Sequence, residues 1–214
     1  MISESVSLDG VVEDPGLFGD FKHKGWTLDI DRREDGKQSK LPLEVQRFLL
    51  DEALGMEAML LGRITYEELA PLWPAREGEL ADRLNSMPKY VVSSTLEDPG
   101  WNNSTVLRGD AVEEVLRLKR ELDGDINVPG SIRLARTLIE HDLVDKLRLM
   151  IFPVVLGSGE RLFAELPDKK GVRLVDTKTI GDGIAILSYE PVRDASRQQA
   201  RFPVAGGRRS RIGP

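Results

Sequence analysis

Residues 128 to 163 read Val-Pro-Gly-Ser-Ile-Arg-Leu-Ala-Arg-Thr-Leu-Ile-Glu-His-Asp-Leu-Val-Asp-Lys-Leu-Arg-Leu-Met-Ile-Phe-Pro-Val-Val-Leu-Gly-Ser-Gly-Glu-Arg-Leu-Phe, and this stretch decides the fold. The apolar run Ile126-Asn127-Val128 meets a Gly130-Ser131 turn. Leu134, Ala135, Leu138 and Ile139 then recur at helical spacing from Ser131 to Glu140, and a long strand is expected from Asp145 to Leu156. Strand, turn, amphipathic helix and buried strand make a βαβ unit, which sets two strands parallel in one sheet. Its turn opens a helix, where unpaired N–H groups and the helix dipole suit an anion.

Outward from this unit the same alternation continues. Residues 2 to 8 read as a short first strand, weakened by Glu4, and residues 17 to 40 show no period and read as a long loop. A helix is expected from Pro42 to Leu54, stopped by Gly55, then a buried strand from Ala58 to Leu61 and a helix from Thr65 to Leu72 closed by Pro74. Lys89 to Ser94 reads as a buried strand and Thr105 to Leu107 as a brief one. Asp110 caps a helix with Glu113 at its third position, and Gly124 follows its end. Two closing strands, Arg173 to Ile180 and Ile184 to Val192, flank the hairpin signal Gly181-Asp182-Gly183. The pattern predicts an α/β fold: a mostly parallel central sheet, helices on both faces and an antiparallel C-terminal hairpin.

The composition narrows the function classes. In 214 residues with 40% hydrophobic content there is material for one large core, here residues 1–192. With no cysteine, thiolate zinc sites and cysteine nucleophiles are excluded; two histidines, His23 and His141, argue against a multi-histidine metal centre and leave carboxylates as the ligands for a hard cation. The lack of cysteine also points to a reducing, cytoplasmic setting. No signal peptide or apolar membrane run is present, so no membrane role is expected. Residues 193–214 hold six arginines against Asp194, a local charge of +5 in a chain of net −6. The acidic remainder argues against a nucleic-acid surface, and the basic segment reads as a disordered tail.

In a sheet of this kind, ligands bind beyond the carboxyl ends of the strands. Three such ends carry anion-compatible residues: Gly62-Arg63-Ile64-Thr65, Ser93-Ser94-Thr95 and Gly130-Ser131 with Arg133 and Arg136 behind. Each alone is an ordinary turn, but three in succession suit a ligand with more than one phosphate. The other reactive residue types admit plainer roles. Trp26 is a loop anchor or a substrate wall. His141 sits in a last helical turn, where a cation meets the negative helix end. Glu67 either orients Arg63 or faces solvent.

At these residues a resemblance emerges. Ser7-Leu8-Asp9-Gly10, Leu61-Gly62-Arg63-Ile64-Thr65-Tyr66-Glu67, Lys89 to Thr95, Gly130-Ser131, and Pro153-Val154-Val155-Leu156-Gly157-Ser158-Gly159-Glu160-Arg161-Leu162-Phe163 are similar to the RibD C-terminal-domain family of the dihydrofolate-reductase-like superfamily. The resemblance implies a dihydrofolate-reductase-like fold, NADPH as cofactor, a small-molecule substrate of heterocyclic or carbonyl type and commonly a homodimer. Carried over by position, Arg63, Ser93 and Ser94 correspond to contacts with the cofactor 2′-phosphate. Gly62, Thr65, Gly130, Ser131 and Ile132 correspond to the pyrophosphate cradle, and Asp9 to a substrate-side loop residue. Two positions depart from the pattern. The first-helix acid of dihydrofolate reductases falls on Gln46, near Glu44, and Pro129 stands where relatives often have glycine. A non-catalytic dimeric nucleotide-binding protein on the same fold is the alternative.

Overall fold

A computed structural model describes residues 1–28, 42–163 and 167–192. The basic segment 193–214 and the second half of the long loop lie outside the described residues. Among the described residues eight strands form one sheet in the order β4-β3-β2-β5-β1-β6-β8-β7. The strands are β1 Ile2–Ser7, β2 Ala58–Gly62, β3 Lys89–Val92, β4 Ser104–Leu107, β5 Ile126–Pro129, β6 Leu147–Phe152, β7 Val172–Ile180 and β8 Ile184–Pro191. The six from β4 to β6 pair in parallel, and β8 and β7 close the edge antiparallel.

Among the described residues five α-helices cover the two faces: α1 Leu43–Leu54, α2 Arg63–Leu69, α3 Glu79–Ser86, α4 Ala111–Glu121 and α5 Ile132–Glu140. Alternation along the strands divides the core. Ile2 and Val6 of β1 pack with Leu60, Val128 and the α4 and α5 residues Leu118, Leu134 and Leu138. The opposite face joins Met59, Leu61 and Val91 to Ala53 of α1 and Tyr66 of α2. Beside it Val45 of α1 meets Met150, Phe152 and Ile186. Strand β2 is buried on both faces, as its uninterrupted apolar run requires.

Helix boundaries follow local chemistry. The Asp110 carboxylate accepts from the Val112 and Glu113 amides and so caps α4 as its sequence demands. Helix α2 starts earlier and ends sooner than expected; Ala70 keeps helical φ and ψ, but Pro71 has no N–H to continue the ladder. Strand β6 stops at Phe152 rather than Leu156, since Pro153 has no N–H for the ladder. Helix α3 is absent from the sequence reading. Its eight residues are held by Arg83, whose guanidinium donates to the Ala53 carbonyl at 3.0 Å and also to the Met56 carbonyl at the end of α1. Below it Lys89 is fully buried, its ammonium donating to the carbonyls of Asn85, Met87 and Asn102 at 3.1, 2.7 and 2.9 Å and lying 4.5 Å from the Trp101 ring centre.

Trp26 is an anchor for the loop after β1. It is buried, donates from Nε1 to the Glu13 carbonyl at 2.9 Å and meets Phe152 edge to face at 5.4 Å. Among the described residues no helix is long and apolar enough to cross a membrane.

Candidate functional site

Parallel strands β2 and β5 end beside one another, and each runs directly into a helix. The two turns are bonded together. The Gly62 amide donates to Ser131 Oγ at 3.0 Å, Ser131 Oγ donates to the Pro129 carbonyl at 3.2 Å, and Thr65 Oγ1 donates to the Gly130 carbonyl at 3.0 Å. Gly130 has φ +61°, a left-handed conformation that glycine adopts without strain. Neither Gly62 nor Ser131 caps its helix with a side-chain hydrogen bond. The first backbone bond of α5 runs from the Ala135 amide to the Ser131 carbonyl, so the amides of Ile132, Arg133 and Leu134 precede the helical ladder. They form the positive end of a nine-residue helix.

These turns line a cleft of about 740 Å³ that also takes in the first strand and the walls of α1, α2 and α3. Gly62, Arg63, Thr65, Gly130, Ser131 and Ile132 all border it. Arg63 is half exposed and its Nη1 lies 2.7 Å from the Glu67 carboxylate one turn on, so Glu67 orients it. Ser93 and Ser94 follow Val92, which pairs with Gly62 in register, so they stand beside Arg63 at adjacent strand ends. Val92 is among the residues bordering the cleft, whereas Ser93 and Ser94 are not. The buried Ser93 Oγ accepts from the amides of Thr95 and Leu96 at 3.2 and 2.9 Å and holds its own turn.

Asp9 lies apart from the cleft-lining residues, and its carboxylate is engaged elsewhere. Oδ1 accepts from the Leu156 amide at 3.0 Å and from Ser7 Oγ at 2.8 Å, and Oδ2 accepts from the Gly157 amide at 2.9 Å. The Leu156 amide above all, with Ser7 and Gly157, holds the Asp9 carboxyl down at about 2. The Asp9 carboxylate thus fastens the loop after β1 to the loop after β6. Gly157 and Gly159 have φ +75° and +122°, which accounts for glycine in that second loop.

Two buried carboxylates escaped the sequence reading. Glu4 is 3% exposed, borders the cleft and shares the strand face of Ile2 and Val6. Burial raises its carboxyl to about 8, opposed by a hydrogen bond from the Gly130 backbone, and its Oε1 has no partner. A glutamate at an inward position of an alternating strand is the available signal. Glu52, on the last turn of α1, accepts from Ser3 Oγ and Asn127 Nδ2, both at 3.1 Å, and pairs with Arg148 at 2.8 Å. Helix α1 therefore does present an acid to the sheet, well along from Gln46 and neutralised by an arginine.

Comparison with known proteins agrees with this architecture. The RibD C-terminal domain family model matches residues 1–186. The uncharacterized protein YyaP of Bacillus subtilis (strain 168) is 30% identical over 189 residues, covering 81% of this chain and 98% of its own. A Shewanella sp. PV-4 protein named for a proposed role in riboflavin biosynthesis superposes with a TM-score of 0.65 at 18% identity, covering 90% of this chain and 98% of its own. The Enterococcus faecalis dihydrofolate reductase, solved with NADP(H) and RAB-propyl, superposes with a TM-score of 0.55 at 14% identity, covering 89% and 94%. The fold is dihydrofolate-reductase-like, and the chain belongs to the RibD C-terminal domain family.

Proposed function

We propose that the protein is an NADPH-dependent reductase that delivers a hydride to a small heterocyclic or carbonyl compound, pyrimidine-like in the manner of its family. The observation that carries this reading is the coupled pair of turns at Gly62–Thr65 and Gly130–Ile132, which opens uncapped helix ends into a cleft large enough for a nucleotide and a second ligand. The residues fit the cofactor. The amides at the start of α5 and the Thr65 turn would hold the diphosphate, and Arg63 with Ser93 and Ser94 would hold the 2′-phosphate. When bound, the nicotinamide supplies the hydride. The chain's own work is to orient both ligands and to exclude water, through the apolar walls of α1, α2 and α3.

Calorimetric titration tests this directly. NADPH should bind saturably and more tightly than NADH, and Arg63→Ala should cut that preference by roughly tenfold, equal to about 1.4 kcal/mol. Absence of NADPH binding, or an unchanged preference in the variant, rejects the reading.

A homodimer is part of the proposal. Edge strand β7 is exposed along nearly its whole length and presents Val172, Leu174 and Val175, each at least 41% exposed. An apolar edge of that length invites strand or face pairing with a second copy.

A further inference from the structure

Glu4 is the one charged residue of β1, and it belongs to the face of the sheet that α5 covers. Its strand neighbours fix its place. Strands β1 and β5 run parallel with Ile2 level with Val128 and Ser3 level with Pro129, so the next step brings Glu4 level with Gly130. Its side chain shares the side of Ile2 and Val6, which pack with Val128, Leu134 and Leu138, whereas Asn127 and the Glu52–Arg148 pair lie on the opposite face. The carboxyl is 3% exposed, receives a hydrogen bond from the Gly130 backbone and leaves Oε1 without a partner.

The charges around it are engaged elsewhere. Strand β5 carries no ionisable side chain, and on β6 Arg148 is level with Ser3 and turns to Glu52 at 2.8 Å. On α5 Arg133 and Glu140 are exposed and Arg136 pairs with Glu160. On α4 the inward Val115 and Leu118 are apolar, and Lys119 pairs with Asp145 at the opposite end of the sheet. On α2 Arg63 pairs with Glu67, and Glu68 adds another acid. In the loop after β1, Glu13 holds the Glu160 amide and Asp14 those of Phe18 and Gly19. A carboxylate buried in an apolar layer without a cation is driven to its neutral form, and burial holds the Glu4 carboxyl up at about 8.

Gly130 is the shared element. Its carbonyl is bonded to Thr65, and the free amides of α5 begin just beyond it. A neutral Glu4 supports this turn as an acceptor. An ionised Glu4 adds a negative charge behind it, where screening is weak, and competes with any bound anion for the positive end of α5.

We propose that Glu4 is a positioning residue that makes anion binding at the Gly130 turn proton-dependent: the turn holds a phosphate with Glu4 neutral and loosens its hold when Glu4 ionises. The proposal rests on the reading of the Gly62–Thr65 and Gly130–Ile132 turns as phosphate-side. Below about 8 the proton is already on the carboxyl and affinity is flat; above it, binding must draw a proton from solvent onto the carboxylate, so affinity falls as pH rises. Reciprocally, a bound anion raises the pH at which Glu4 ionises.

The test titrates the full chain by calorimetry with NADPH between about pH 7.5 and 9.5, where the 2′-phosphate is already fully ionised, and with sulfate, an anion that does not titrate there. Wild-type affinity should fall roughly three- to tenfold across this range. Glu4→Gln, a neutral acceptor of the same shape, should bind as tightly at the upper pH as at the lower. Glu4→Ala removes the acceptor and should bind more weakly at every pH without a slope, which separates the proton from the loss of a contact. Lys89, which burial holds down at about 8, lies at the far end of β3 from Val92, and any slope it caused would survive in Glu4→Gln. If the variants lose their circular-dichroism spectrum, carboxyl-carbon NMR of glutamate-labelled wild type follows the raised carboxyl directly, and NADPH should move its titration to higher pH. A flat wild-type profile, a slope that survives in Glu4→Gln, or a glutamate titration that NADPH leaves in place overturns the proposal. The two readings fail separately. NADPH bound equally well at both ends of the range keeps the reductase reading and sinks this one. Sulfate bound with a Glu4-dependent slope, without NADPH binding, does the reverse, and no anion bound at all sinks both.

Discussion

The Thr65 hydroxyl donates a 3.0 Å hydrogen bond to the Gly130 carbonyl, so two turns 65 residues apart in sequence are bonded together. Thr65→Val keeps the shape and deletes the donor. Stability should fall by about 0.5–1.5 kcal/mol, the usual worth of one such bond. NADPH affinity should fall by more than the loss of stability alone accounts for, because both phosphate-side turns are released. Thermal unfolding and calorimetry on the same samples separate the two effects.

Glu4 gives the protein a distinctive pH profile. Burial pushes its folded-state carboxyl up to about 8, against an ordinary glutamate value of 4.5, so the native state holds a proton that the unfolded chain gives up between those values. By linkage this contribution to stability is full below about 4.5 and is lost as pH rises through about 8. Glu4→Gln should flatten that slope and be the more stable form at pH 9, by up to a few kcal/mol. Urea midpoints from pH 5 to 9 decide it, and a wild-type slope that survives in the variant removes the assignment.

Lys89 makes three carbonyl contacts beneath Trp101. Lys89→Met fills similar volume but leaves the buried Met87 carbonyl and its neighbours without a donor. A loss of about 2–4 kcal/mol is expected from several unmet acceptors. Denaturant unfolding measures it, and a loss below about 1 kcal/mol would show that water replaces the ammonium.

For Asp9 the expected outcome is local. Asp9→Ala should accelerate hydrogen exchange at the Leu156 and Gly157 amides, which the carboxylate holds, with little change at β2 or β5. The lowered carboxyl pKa makes this fastening present above the ordinary aspartate range and lost as pH falls through about 2. A collapse of turnover with unchanged exchange would instead place Asp9 at the substrate.

The dimer expectation is checked by light scattering. Leu174→Lys, on the exposed face of β7, should shift the population to monomer without altering the melting of the isolated chain, and an unchanged mass places the contact elsewhere.

The sheet was legible because its strands are apolar runs with clear stops. Gly55 and the pair Gly181 and Gly183 sit where a helix ends or a hairpin turns, and Asp110 caps α4 as read, while α4 ends at Glu121, before Gly124. Helix α3 was not legible. It is short, rich in charge and lies between Pro74 and Pro88, and it is held by Arg83 reaching carbonyls about 30 positions back, a contact without a local signal. The two coupled turns at Gly62 and Gly130 were legible as turns for the same reason as the fold, since a strand running into a helix is a local pattern. The rest of the cleft was not. Glu4, Asp14, Glu68 and Asn127 come from four separate segments, brought to one cleft by a sheet order that sets β5 between β2 and β1.

The ring of Pro129 and the internal bonds of Ser131 and Thr65 leave the Gly130 turn little freedom before any ligand arrives. The ordering entropy that a flexible phosphate loop loses at binding is here lost when the chain folds. Encounter with a nucleotide should therefore proceed without a slow loop-closing phase, and substitutions around this turn should act on residence time rather than on the rate of arrival.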